Sequence, residues 1–253
     1  MFNDVILSEE QKALVEATNL TNEQYDNFLE HMERIPSVRS PINGKTARLV
    51  FEFMEDTGCR VTETIHIKKE DVDFRTRILT VTRPKSEKRC KCSRWKNRDE
   101  HSQVKVLEYA DTQCDKCHGK GKWKKPQRTT ITPRLYWKLR EYCDTLKDGE
   151  RLFPISRISL WTWGKDAGER AGINIFQQKE ERLIEGIFLH LFRALCSLRT
   201  TRDAKNDLYQ TQIVDCKMRH AYDRVGERYN RVDINYLINW ENKVYGDITL
   251  DLQ

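Results

Sequence analysis

Six side chains in three separated segments have the types and spacings that phosphate chemistry needs. "TGCRVTE" places Arg60 three residues before Glu63, "HLFR" places His190 three before Arg193, and "MRHAYDRVGERY" places His220 nine before Tyr229. At i, i+3, His190 and Arg193 share a helix face. Guanidiniums can fork onto phosphate oxygens and keep their charge at any ordinary pH. A tyrosine phenol, with a pKa of about 10, attacks phosphorus only as it loses its proton, so it needs a base in reach. Each segment alone also reads as a surface ion pair or a solvated polar face. Their combination is what points to chemistry.

The third segment poses its own question, because Tyr222, Tyr229 and Tyr236 stand seven apart. An unbroken helix would stack all three on one buried face. Gly226 between the first two is expected to break or loosen such a helix. Tyr222 and Tyr236 then read as packing residues, while Tyr229, among arginines, reads as a reagent.

These residues need a body to hold them, and the 253-residue chain can bury a substantial core. No apolar run approaches the roughly 20 residues that span a bilayer, and the start "MFNDVILSEEQK" lacks signal-peptide character. A cytoplasmic or nucleoid-associated protein with no membrane partner is expected. The net charge of +6 is uneven. Residues 83–128 hold fifteen Lys/Arg and six Asp/Glu, which is +9 and leaves −3 for the rest. A basic segment on a near-neutral body is the footprint of a polyanion, most often nucleic acid, with a solvated loop as the competing reading.

The expected fold class is mainly α with a small antiparallel β-hairpin or sheet (α+β). Helices are read at "SEEQKALVEAT", at "TNEQYDNFLEHMERI" with Thr21 and Gln24 in capping-box spacing, and at "TARLVFEFMEDT" with Gly58 ending it. "ILTVT" (78–82) and "RTTIT" (128–132) read as partner strands, and Pro133 opens the helix "RLYWKLREYCDTL". "RISLWTWGKDAGERAGI" and "FLHLFRALCSLRTTRDAK" complete the helical set. One domain over 1–253, carrying one insertion over 86–124, is favoured over two domains.

Some 45 residues separate the two strands, far more than a hairpin loop of about 2–5. Cysteines offer the support such a loop needs. "CKC" (Cys90, Cys92) and "CDKC" (Cys114, Cys117) are two close pairs about 20 residues apart, the usual layout of a tetrahedral structural zinc site. His101 or His118 could replace one ligand, because C-x-C is the less common spacing. "CDKCH" also fits c-type haem attachment, which is set aside because such proteins are exported. "CDKCHGKG" resembles the zinc knuckle of DnaJ-type chaperones, and that likeness implies local geometry only. Cys59, Cys143, Cys196 and Cys216 stand singly and read as small buried hydrophobes.

The order and spacing of the three boxes resemble the tyrosine recombinase (phage integrase) family. Thr57, Gly58, Arg60 and Glu63 meet its T-G-x-R-x-x-E box, His190 and Arg193 its H-x-x-R box, and His220 with Tyr229 its His-to-Tyr spacing. Two positions depart: Met218-Arg219 replaces the usual Leu-Gly, and Ala194 replaces a common His. The first box arrives by residue 57, so the family's N-terminal core-binding domain is expected to be absent.

The resemblance implies a site-specific recombinase on double-stranded DNA, an enzyme with Tyr229 as nucleophile, a 3′-phosphotyrosine intermediate and then strand exchange. Arg60 and Arg193 would hold the scissile phosphate, with Glu63 completing the first box. His190 would act as base and His220 as donor to a non-bridging oxygen. A hairpin lysine would protonate the leaving 5′-oxygen. Lys85 is slightly favoured over Lys124 and Lys125. The scheme needs no catalytic metal and no nucleotide, so zinc would be structural. A tetrameric synapse is implied, with 233–253 exchanged between protomers or packed in cis. DNA contacts are expected from Arg94, Lys96, Arg98, Lys105, Lys124, Lys125 and Arg128. The alternatives are a non-enzymatic zinc-containing DNA-binding protein on a degenerate scaffold, and a type IB topoisomerase-like or hairpin-resolving strand transferase.

Overall fold

The computed structural model describes residues 22–35, 42–82, 87–97, 105–115, 117–124, 126–173, 181–219 and 232–246, with backbone alone at 87–88, 123–124 and 181–190. The chain divides into two compact units, Met1–Leu79 with Arg128–Gln253, and Thr80–Gln127.

In the first unit, helix α1 (Asn22–Glu33) buries Phe28, Leu29 and Met32 on one stripe. Helix α2 (Gly44–Thr57) opens with the Asn43 side chain accepting from the Thr46 N–H at 2.9 Å, as a preferred N-cap does. Its first residue must be glycine, because a Cβ there would meet the Glu33 carbonyl at 1.8 Å. The helix ends at Gly58 in the left-handed conformation (φ 61°), as the sequence reading expects. A short helix α3 (Val61–Thr64) follows at once.

The β elements begin with β1 (Val72–Asp73) and β2 (Ile78–Val81), which pair antiparallel. With β7 (Gln127–Thr130) they make a three-stranded sheet of order β1-β2-β7. Pro133 then starts helix α4 (Pro133–Asp144), and Ser156 caps helix α5 (Arg157–Arg170). Long helix α6 (Glu181–Asp203) is followed by α7 (Gln210–Met218) and α8 (Ile234–Tyr245). Helix α2 is central and packs on α1, α4 and α6. Phe28, Phe51 and Phe192, from α1, α2 and α6, meet with ring centroids 4.8–5.4 Å apart. Of the single cysteines, Cys59, Cys143 and Cys196 are buried and Cys216 is half-buried.

Helix α8 is seated in cis. Leu237 and Trp240 join Ala204, Ile213 and Val232 in an apolar cluster. Glu241, fully buried, accepts from Lys217 Nζ at 2.7 Å and Thr130 Oγ1 at 2.6 Å, and faces Arg77 Nη1 at 3.5 Å. Arg77 also donates to the carbonyl of Ile238 at 3.2 Å and to Asn242 Oδ1. One unbroken helix does not carry the three tyrosines. Helix α7 ends at Met218 with Arg219 left-handed, and Tyr236 lies in α8, where its ring stands edge-on to Tyr209. Tyr222, Gly226 and Tyr229 lie outside the described residues, as does the expected first helix.

The second unit is built of short strands. β3 (Glu87–Arg89) pairs antiparallel with β6 (Lys122–Lys124), and β4 (Ser93–Asn97) with β5 (Lys105–Ala110). The whole is therefore mainly α with small antiparallel sheets. Among the described residues, no helix is long and apolar enough to cross a membrane.

The Glu241 cluster sets a stability test. Glu241→Ala leaves Lys217 and Arg77 buried without their carboxylate. Breaking such a pair costs about 3–5 kcal/mol, expected as a lower urea midpoint at unchanged slope.

Candidate active site

Arg60 lies between the end of α2 and α3, where it caps α3. The Glu63 carboxylate turns back on the cap: Oε2 accepts the Arg60 backbone N–H at 2.9 Å, and Oε1 accepts Arg60 Nη1 at 3.1 Å. This is half of a capping box, and it holds the Arg60 guanidinium beside the helix start. Arg60 keeps 35% of its side chain exposed, against 1% for Glu63.

Arg193 of α6 reaches the same turn. It donates through Nη1 to the Gly58 carbonyl and through Nη2 to the Met218 carbonyl at 2.5 Å. Gly58 is required where it is: besides its positive φ, a Cβ would meet Met218 Sδ at 2.9 Å. Burial pulls the Arg193 guanidinium down to about 10, helped by the neighbouring charges of Arg219 and Arg60, and it stays protonated near neutrality.

A third arginine completes the cluster. Arg219 donates to the carbonyls of Thr57 at 3.0 Å and Gly58 at 3.1 Å, and to Glu63 Oε2 at 2.8 Å. It is buried, and its backbone is left-handed (φ 57°), which costs a side-chain-bearing residue roughly 1–2 kcal/mol. In the sequence Arg219 stands out only as a departure from the family's Leu-Gly. The signal for its role is a helix that ends on arginine where glycine or asparagine is the relaxed choice.

The boxes of Arg60 with Glu63 and of Arg193 are thus brought together, two guanidiniums on one carboxylate and the third on the Gly58 carbonyl beside them. His190 lies in α6 one turn before Arg193, with only its backbone described. Lys85, His220 and Tyr229 lie outside the described residues.

The four sulfurs of Cys90, Cys92, Cys114 and Cys117 lie within 4.8 Å of one another. Cys90 and Cys114 Sγ are 3.6 Å apart, and Cys92 and Cys117 Sγ 3.3 Å. A zinc–sulfur bond of about 2.3 Å gives a tetrahedron with edges of ~3.8 Å, so the residues fit a zinc ion. His118 is exposed with a positive φ of 46°, and the four sulfurs make a complete set without it. His101 lies outside the described residues. Tight turns support the set. The Cys90 N–H donates to the Gly121 carbonyl at 2.8 Å, and His118 N–H to the Cys114 carbonyl at 2.8 Å. A Cβ on Gly121 would meet Leu107 Cδ1 at 2.4 Å.

Around this set the surface is basic. Arg94, Lys96 and Lys105 are exposed on the β4–β5 hairpin. Arg89 and Lys122, cross-strand partners in β3 and β6, both lie over the Trp95 ring, at 5.2 and 5.1 Å from its centroid. Arg128 is exposed on β7, the side chain of Lys124 is not described, and Arg98 and Lys125 lie outside the described residues.

Glu63 makes the cluster's pH dependence readable. Burial alone would push its carboxyl up, but Arg219 and then Arg60 outweigh burial and hold it below the usual range. A depressed carboxyl contributes stability fully above its unfolded pKa and loses it as pH falls through the folded value. The stability gap between wild type and Glu63→Gln is therefore expected to be largest at neutral pH. In acid unfolding series it should shrink below about pH 4.3.

The sequence model of the phage integrase family matches residues 18–205, well over half of the chain. No curated protein sequence matches. Among solved structures, a fragment of the Tn1549 transposon integrase in complex with transposon right end DNA aligns at 12% identity and a TM-score of 0.45, covering 92% of this chain and 62% of that one. The same integrase with circular intermediate DNA aligns at 13% identity and 0.43, covering 86% and 62%. The chain thus spans less than two thirds of those fragments' length. On the family match, this chain belongs to the phage integrase family.

Proposed function

We propose that this chain is a site-specific DNA recombinase that works through a tyrosine nucleophile. The observation that carries the reading is the meeting of Arg60 and Arg219 on Glu63, with Arg193 bonded to the same Gly58 turn, in a member of the phage integrase family. Three cations against one anion make a site short of negative charge, and a phosphodiester supplies it. Arg60, the exposed member, and Arg193 hold the non-bridging oxygens and stabilise the charge that builds on them in the transition state.

Tyr229 Oη forms the new bond to phosphorus and passes its proton to His190. The bond from phosphorus to the 5′-oxygen breaks, and Lys85, Lys124 or Lys125 protonates that oxygen. His220 donates to a non-bridging oxygen. The product is a 3′-phosphotyrosine, which the 5′-hydroxyl of a second strand resolves. Exchange between two duplexes calls for a tetrameric synapse, to which the residues after α8 contribute by packing on a neighbour. Zinc on Cys90, Cys92, Cys114 and Cys117 supplies structure and takes part in no step. The basic hairpin of Arg94, Lys96 and Lys105 supplies phosphate contacts.

The test is a covalent adduct. A binding duplex is first selected from a randomised pool and then rebuilt with a nick that traps the intermediate. Wild type is expected to form a denaturant-resistant protein–DNA adduct, and Tyr229→Phe none. Arg60→Gln and Arg193→Gln should each slow its formation by about 10²–10³. Binding without adduct would leave the non-enzymatic DNA-binding reading standing, and an adduct with Tyr229→Phe would move the nucleophile elsewhere. Relaxation of supercoils without joining to a partner duplex would favour a topoisomerase-like transferase.

Metal removal tests the cysteine set separately. One zinc per chain is expected by elemental analysis. A strong chelator should release it and abolish hydrogen-exchange protection in residues 80–127, because structural zinc contributes folding energy outright.

A further inference from the structure

We infer that Arg219 is a positioning residue: by sharing the Glu63 carboxylate, it leaves the Arg60 guanidinium with charge to spare for the scissile phosphate. The inference rests on the strand-transfer reading above. Glu63 Oε2 takes the Arg60 backbone N–H and Arg219 Nη2 at 2.9 and 2.8 Å, and Oε1 takes Arg60 Nη1 at 3.1 Å. Without Arg219, Arg60 and Glu63 would form a one-to-one pair, and the carboxylate's whole charge would oppose the guanidinium that faces substrate. With it, two cations share one anion.

The exposures divide the labour. Arg219 keeps 1% of its side chain exposed and Arg60 keeps 35%, so a ligand can reach Arg60 while Arg219 must act through Glu63. Arg219 also donates to the Gly58 carbonyl, which accepts from Arg193 as well. One carbonyl therefore registers Arg193 against Arg219, the residue that shares Glu63 with Arg60. The left-handed backbone at Arg219 points the same way. Glycine would relax it, so the side chain is kept against a conformational cost for what its guanidinium does.

A merely structural Arg219 and a positioning one differ in how they couple to Glu63. The test is single-turnover adduct formation on the nicked duplex at saturating protein, with melting temperature and duplex affinity recorded for each variant. Arg219→Gly is expected to slow the reaction about 10²-fold while binding DNA within a few-fold of wild type. Adding Glu63→Gln removes the carboxylate that Arg219 balances, and the double variant should recover at least about tenfold. Arg219→Lys, which restores the charge, should recover most of the rate. Should Arg219→Gly fail to fold, Arg219→Lys against Arg219→Gln carries the same comparison, with Lys the faster.

Wild-type rates in Arg219→Gly would overturn the inference alone, as would a double variant no faster than the single one. No adduct with wild type would overturn it together with the strand-transfer reading.

Discussion

A carboxylate taken out of water must be met by cations and donors, and Glu63 meets that constraint with two arginines and a backbone N–H. The rest of the site depends on that arrangement. The carboxylate fixes Arg60 beside the first turn of α3, and it draws Arg219 in under the end of α2. There Arg219 and Arg193 both donate to the Gly58 carbonyl. Like charges are thereby brought close, and the cost shows in Arg193, which burial and its two neighbours pull down to about 10. Such crowding persists only where the surrounding groups are held firmly.

The end of α7 shows how firmly. Three consecutive residues are anchored in three directions. Lys217 reaches Glu241 of α8, the Met218 carbonyl accepts from Arg193 of α6, and Arg219 reaches Glu63. Thr129 Oγ1 adds a bond to the Lys217 carbonyl at 3.0 Å. The chain thus enters the segment that begins at His220 from a point pinned by buried polar contacts. A hydrophobic contact could slide by a fraction of a turn at little cost, whereas each of these bonds would leave a buried charge or carbonyl unpaired. The left-handed backbone at Arg219 turns the chain at the same point.

Much of this was legible in the sequence because it rests on local rules. Gly58 and Pro133 mark where a helix ends and where one begins, and "ILTVT" and "RTTIT" carry β-branched strands. The boxes of Arg60 with Glu63 and of Arg193 were legible from spacing. What escaped was long-range. Arg219 lies 156 residues from the carboxylate it serves, and Lys217 lies 24 from Glu241. No periodicity links such pairs, because a buried ion pair is chosen by the packed fold rather than by its neighbours in sequence. The tyrosine stripe misleads in the opposite way. A seven-residue spacing is a local pattern, yet Tyr236 lies in a helix that begins only at Ile234, capped by Asp233.

The unit 80–127 follows a different logic. Its strands are short and mostly exposed, and among its described residues the buried apolar side chains are Val81, Cys90 and Cys117. Even Leu107 and Tyr109 remain exposed. Among its described residues, burial at roughly 25 cal/mol per Å² of apolar area falls well short of the conformational entropy of ordering them. Two of its three buried apolar side chains are themselves cysteines of the four-sulfur set, so sulfur sits where such a unit would otherwise place leucine or valine. A cation bonded to all four sulfurs would join the β3–β6 end of the unit to the turns at 90–93 and 114–119, which lie far apart in sequence. The same economy frees the strands' faces from packing duty, and their lysines and arginines can then remain in solvent, where a polyanion can reach them.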